Sequence, residues 1–422
     1  MRTPLRVGIF AVGALLGAAL AHPQNTKLGD ALEQNRFPIE VRDGKLAGPG
    51  SAVLQAALAE ANFVLLGEDH GIRQIPAFAG SLCRELAPHG FHTMAIEAGP
   101  AVTAELQKLS VAAEGAKRFA EFDRKYPFSV AFYSWREEFE MLENCQKAAG
   151  AEGMTLWGID QELMGSSGFL LEKILDTKPG PGAKAALQAL LKENADDLAA
   201  AAKTGSPGEL FMMKAKQEEL DAARDLLTKD GNAEAQRLFG SLLASRDIYQ
   251  KNMTGSYYVS NRQRALLMKS TFVPLSAAAM QKQGAPPKIL FKFGGWHTYR
   301  GLNPIHSSEI GNLVNEFAEA HGLKSLHILI LGVKGEQLHF AGIGKPFAPA
   351  PLDLVNDKDS EFSFMGPFIT HMVENHWTLF DLRALRSNFA SYGKTDPELE
   401  RLTFGMDFIV LIPDPQASHA FE

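Results

Sequence analysis

Phe63-Val-Leu-Leu-Gly-Glu-Asp-His-Gly-Ile-Arg73 is a short aliphatic run that stops at a glycine and opens into ionisable side chains. Such a run reads as a strand covered on both faces by helices, ending in a corner that carries Glu68, His70 and Arg73. In open α/β sheets the ligand crevice lies just past the carboxyl ends of parallel strands, so this corner predicts a site. The alternative is an ordinary turn before a helix, with Asp69 or His70 as its cap.

The same phrase recurs along the chain. A helix is expected over Ile75–Leu86, stopped by Pro88-His89-Gly90, and a second strand over Thr93–Ile96 ends in Glu97. This strand–helix–strand unit implies a right-handed crossover and parallel strands, which would put Glu68, His70 and Glu97 on one sheet edge. A third strand, Met154–Ile159, ends at Asp160, and a later one, Lys288–Phe293, ends in Gly294-Gly295-Trp296-His297. Further strands are expected at Ser325–Leu331, Trp377–Leu382 and Phe408–Ile412, with a hairpin turn around Gly335 returning through Leu338–Ala341. The fold class is therefore α/β, a mostly parallel sheet flanked by helices. Helices are also expected at Val102–Leu109 and Trp135–Ala149, with an aromatic loop between them. From about 165 to 279 the chain turns to Ala, Leu, Lys and Glu at helical spacing, read as a helical insertion. Residues 22 to 50 read as a surface arm, and the tail after Pro415 as frayed.

The gross features bound the function. A basic start with Arg2 and Arg6, an apolar run Val7–Leu20 and Ala19-Leu20-Ala21 together form a signal peptide, residues 1–21, cleaved after Ala21. This makes the mature chain, 22–422, periplasmic or secreted, as a single domain with an insertion and no stable membrane anchor. Removing Arg2 and Arg6 takes the formal charge from −7 to −9, and no dense basic run exists, so nucleic acid is a poor partner and a small-molecule substrate a better one. The two cysteines, Cys83 and Cys145, are either a disulfide or two buried thiols. No Gly-x-Ser-x-Gly, phosphate-binding loop or Cys-x-x-Cys is present, while His371 and His376 read as surface or core histidines.

Four strand ends thus deliver Glu68 with His70, Glu97, Asp160 and His297. Two imidazoles among carboxylates suit two chemistries: deprotonation of a water by a histidine that a carboxylate orients, or capture of one divalent metal ion by Glu68, His70, Glu97 and His297. Trp296 reads equally as core or as a pocket wall.

Taken in order, Leu66-Gly-Glu-Asp-His-Gly-Ile-Arg73, Gly90-Phe-His-Thr-Met-Ala-Ile-Glu97, Trp157-Gly-Ile-Asp160 and Lys292-Phe-Gly-Gly-Trp-His297 resemble the motifs of the erythromycin esterase family. That family's superfamily also includes haem-binding uptake proteins and Tiki-type metalloproteases. The resemblance implies an α/β hydrolase of ester or related acyl bonds without a cofactor, with His70 as general base, Glu68 and Glu97 as its carboxylates and His297 as second site histidine. It further implies Arg73 and Arg300 as oxyanion or substrate contacts and, from the helix containing Asn261, Arg262, Arg264 and Met268, Arg262 as a substrate contact. Two departures stand out: one residue rather than two separates Glu68 from His70, and the late turn is Gly-Gly-Trp-His rather than His-Asn-x-His. Macrolide hydrolysis is therefore not implied. A metal-dependent hydrolase or peptidase and a non-enzymatic binder of haem or a small molecule are the two other expectations.

Overall fold

The computed structural model describes residues 24–422 except 230, 231, 359, 361, 394 and 422. The expected signal peptide lies outside the described residues. Among the described residues nine strands form one sheet, supplemented by a small two-stranded one. In chain order the strands are β1 (Arg36–Arg42), β2 (Lys45–Ala47), β3 (Phe63–Glu68), β4 (Thr93–Ile96), β5 (Thr155–Gly158), β6 (Ile289–Gly294), β7 (Ser325–Gly332), β8 (Lys334–His339), β9 (Ala348–Asp353), β10 (Trp377–Asp381) and β11 (Phe408–Ile412). The large sheet runs β2-β1-β10-β11-β7-β3-β6-β4-β5. From β11 to β5 every pairing is parallel, and β10 is antiparallel to both its neighbours.

The apolar run Phe63–Leu66 is fully buried because β3 sits between β6 and β7 with helices on both faces. Alternate residues divide between two cores. Val64 and Leu66 pack with Met94, Ile96 and helices Gln74–Leu86 and Arg136–Ala148, whereas Phe63 and Leu65 pack with Phe291, Phe293, Met268 and Phe272. The first two of those helices are joined by a Cys83–Cys145 disulfide, with Cα atoms 5.2 Å apart. The insertion consists of helices Ser167–Asp176, Pro181–Thr204, Phe211–Lys214, Gln217–Lys229, Ala233–Met253 and Tyr257–Gln283. None of the described helices is long and apolar enough to cross a membrane.

Three expectations need correction. The polar arm contains helix Gln24–Gln34 and edge strands β1 and β2. Pro38 lies in the half of β1 that pairs only with β10, where its missing N–H costs no ladder bond on a second side. The hairpin turn is not at Gly335: β8 follows β7 almost directly and pairs with β9, so the loop is 340–347. The tail is not frayed. Arg73 N–H donates to Gln416, Ser418 N–H to Gly71 and Arg136 N–H to His419, while Phe421 packs on Phe119 and Phe139.

Candidate active site

Glu68, Glu97, Asp160 and His297 come from the carboxyl ends of β3, β4, β5 and β6, which are contiguous in the sheet, and His70 follows two residues after Glu68. Glycines at the strand ends let these segments close on each other. A Cβ on Gly294 would stand 3.0 Å from His70 Nε2 and 3.3 Å from Glu97 Oε2. Its absence lets the Gly294 N–H donate to Glu97 Oε2 at 2.5 Å.

His70 Nδ1 is 2.8 Å from Glu68 Oε1, and its Nε2 is 3.7 Å from Glu97 Oε2. The imidazole lies flat on Phe132, centroids 3.5 Å apart and planes 10° from parallel. Its side chain remains 25% exposed, so the ring is fixed yet reachable. Burial alone would lower the His70 pKa, but the hydrogen bond to Glu68 and the charges of Glu97 and Glu68 raise it above the ordinary histidine value.

Glu97 is the hub. Its Oε1 accepts from Arg264 Nη2 at 2.7 Å and lies 3.5 Å from His297 Nε2. Arg264 also donates through Nε to Asp160 Oδ1 at 2.9 Å. His297 Nδ1 reaches Glu309 Oε2 at 3.3 Å. Burial opposes ionisation of Glu97, yet His297 and Arg264 overcome it and hold the carboxyl well below its ordinary pKa. Burial likewise disfavours a charged His297, but Glu97 and Glu309 push its pKa up to about 9, so it is an imidazolium at neutral pH.

Beneath Glu68 lies a fully buried lysine. Lys292 Nζ is 2.7 Å from Glu68 Oε2 and 2.9 Å from Glu138 Oε2, and it lies 5.3 Å from the centre of the Tyr133 ring. Burial is the largest influence on Glu68, yet Lys292 and His70 outweigh it and keep the carboxyl ionised. The same burial, less fully compensated, pushes Glu138 up to about 7.

The structure thus brings together Glu68, His70, Glu97, Asp160 and His297. It does not bring in the other four. Arg262 and Arg264 are two positions, or about 200°, apart on one helix. Arg264 turns inward beside buried Ala265 and Met268, and Arg262 faces solvent. Arg300 grips Asp407 and the Ser325 carbonyl at the opposite, amino-terminal edge of β7 and β11. Arg73 lines a separate groove beside Arg84, Glu137 and Glu140. Trp296 stacks on Phe362, centroids 4.6 Å apart, against a third core.

Sequence reasoning missed four partners, Arg264, Glu309, Lys292 and Glu138. Lys292 had a legible signal, a lysine interrupting the apolar strand Ile289–Phe293. Arg264 sat in the helix already singled out, one face away from the residue chosen.

Among the described residues no three or more His, Cys, Asp or Glu side chains form a metal-holding group. The carboxylates of Glu68 and Glu97 already face Lys292, Arg264 and the Gly294 amide.

His70 forms part of the floor of a cleft of about 650 Å³ lined mostly by apolar side chains, among them Phe128, Phe132, Trp135, Phe340 and Phe347. A histidine held between two carboxylates at the edge of an apolar cleft can accept a proton from a water.

No family model matches the chain, and no curated protein matches it. Solved structures do. A mutant of the erythromycin esterase EreC in its open conformation superposes with a TM-score of 0.63 at 15% identity, covering 92% of this chain and 99% of that one. A protein from Bacillus cereus gives 0.59 at 14% identity over 94% and 99%. A succinoglycan biosynthesis protein gives 0.59 at 14% identity over 96% and 100%. The chain therefore has the fold found in erythromycin esterase, as its ordered motifs imply.

Proposed function

We propose that the protein is a secreted hydrolase that cleaves an ester or related acyl bond through a water activated by His70, with no covalent enzyme intermediate. The observation that carries this reading is His70, which lines the apolar cleft and is hydrogen-bonded to the buried Glu68: Nδ1 is fixed by Glu68, which leaves Nε2 as the proton acceptor. A water between Nε2 and the substrate carbonyl gives its proton to His70 as its oxygen attacks carbon. The tetrahedral intermediate collapses with expulsion of the alcohol, which takes the proton back from His70. His297, held as a cation, faces the other oxygen of Glu97, and Glu97 ties the two imidazoles and Arg264 into one array. The esterase among the structural neighbours supports hydrolysis as the class, and the Cys83–Cys145 disulfide supports an oxidising compartment.

The test is a panel of carboxylic esters assayed with the wild type, His70→Ala and a chelator-treated sample. Turnover should fall at least a hundredfold in His70→Ala with the thermal midpoint little changed, and the chelator should have no effect. An active His70→Ala enzyme removes this mechanism, and inactivation by chelator replaces it with a metal-dependent one. Protein that gains a Soret band with haemin and hydrolyses nothing is a binder instead.

A further inference from the structure

One wall of the cleft is aromatic, and Phe132 within it also stacks on His70. Phe128 and Phe132 come from the loop after helix Gly115–Lys125, and Phe340 and Phe347 from the two ends of the loop joining β8 to β9. Phe128 and Phe340 pack edge to face with centroids 5.5 Å apart, as do Trp135 and Phe347 at 6.0 Å, while Phe340 and Phe347 are tilted at 5.9 Å. Phe128 and Phe132 both hold positive φ, 59° and 52°. Bulky residues avoid that region, and such strain persists where surrounding structure enforces it, commonly at ligand clamps.

The β8–β9 loop is itself held in place. Ile343 N–H donates to the Gly205 carbonyl, and Ile343 is buried with Ala201 and Leu210 of the helical insertion. The small sheet therefore has a clear geometric result, which is to fix two phenylalanines beside the cleft that contains His70. Few charged groups reach this cleft besides His70. Asp123, Lys345 and His339 line it too, among a large majority of apolar side chains.

We infer that this cleft binds an uncharged apolar acyl or aryl group of the substrate, and that Phe340 and Phe347 on the β8–β9 loop are its specificity-determining residues. The inference rests on His70 as the site of hydrolysis and adds the class of substrate. Short polar acyl groups leave the aromatic wall uncovered, and each added methylene is worth about fourfold in transfer from water.

Two measurements separate this inference from the hydrolase reading. In the first, kcat/KM is measured over saturated 4-nitrophenyl esters from acetate to octanoate. It should rise by about fourfold per methylene until the cleft is full, and Phe340→Asp/Phe347→Asp should flatten that rise. In the second, calorimetry compares hexanophenone with acetophenone, ketones with no scissile bond. Hexanophenone should bind at least tenfold more tightly, and the double variant should lose the difference. Both residues are only half-buried in a surface loop, so the variant should fold, which its circular dichroism checks. Ester hydrolysis without chain-length preference, together with equal ketone affinities, overturns the inference and leaves the hydrolase standing. Selective ketone binding with no ester turnover keeps the cleft assignment and removes the hydrolase.

Discussion

Lys292 sits on β6 with its aliphatic stem among core residues and 1% of its side chain exposed. An ammonium there persists only because Glu68 and Glu138 face it, and removing one partner leaves an uncompensated buried charge. Lys292→Met should cost about 3–5 kcal/mol in urea unfolding. Lys292→Met/Glu138→Leu, which removes the cation together with a buried carboxyl that faces it, should recover much of that. His297 offers a second check at this scale. Its pKa is about 9 in the fold and near 6.5 when unfolded, so the folded state keeps its proton over that interval. The stabilisation is complete below about pH 6.5 and disappears as pH rises through about 9. Thermal midpoints measured from pH 6.5 to 10 should fall, and His297→Ala should flatten the fall. Residue identity alone located the four strand-end groups, because each follows an apolar run. It did not separate Arg262 from Arg264, since a helix with so small a difference between its faces gives no sequence signal for which arginine turns inward.

At the scale of elements, most of the strands legible in advance were the buried ones, although the partly exposed β5 and β10 were legible too. β3, β4, β6, β7 and β11 are near-continuous apolar runs because both faces are covered. β1, β8 and β9 are half-exposed, carry prolines or alternate with charges, and so resemble loops in sequence. The docked tail was illegible for a similar reason: its backbone is held by Gly71, Arg73 and Arg136, and backbone partners leave no trace in side-chain pattern. The helix bearing Glu138 is tied to the helix after the His70 corner by Cys83–Cys145, which are 62 positions apart. Closing a loop of that length stabilises by about 4 kcal/mol in the chain-entropy model. Cys83→Ala/Cys145→Ala should therefore lower the thermal midpoint, and a reductant should do the same to the wild type and nothing to the variant.

For the molecule as a whole, the two edges of the sheet divide the labour. The carboxyl edge carries the candidate site, and the amino edge is locked by Arg300 and Arg386 on Asp407, with the His327 N–H donating to the same carboxylate. Burial and the neighbouring Arg300 push His327 down to about 3, so it is neutral in the fold. Unfolding lets it take a proton below about pH 6.5, so stability falls as pH drops from there towards 3. Burial would raise the Asp407 pKa, but Arg300 brings it down to about 2, which extends the loss at still lower pH. Acid unfolding followed by circular dichroism should therefore begin below about pH 6.5, and His327→Gln should hold its stability further into acid.

The sheet order also sets a schedule. β3 is made early, yet both of its neighbours, β6 and β7, are encoded beyond the whole helical insertion. While a ribosome is still working through the insertion, the strand that carries Glu68 has no partner on either side. The corner then waits again for Gln416 to Phe421, which close over Gly71 and Arg73. The nascent chain thus remains without a finished cleft until that segment has been added, so anything that moves or guards it during synthesis meets an open chain.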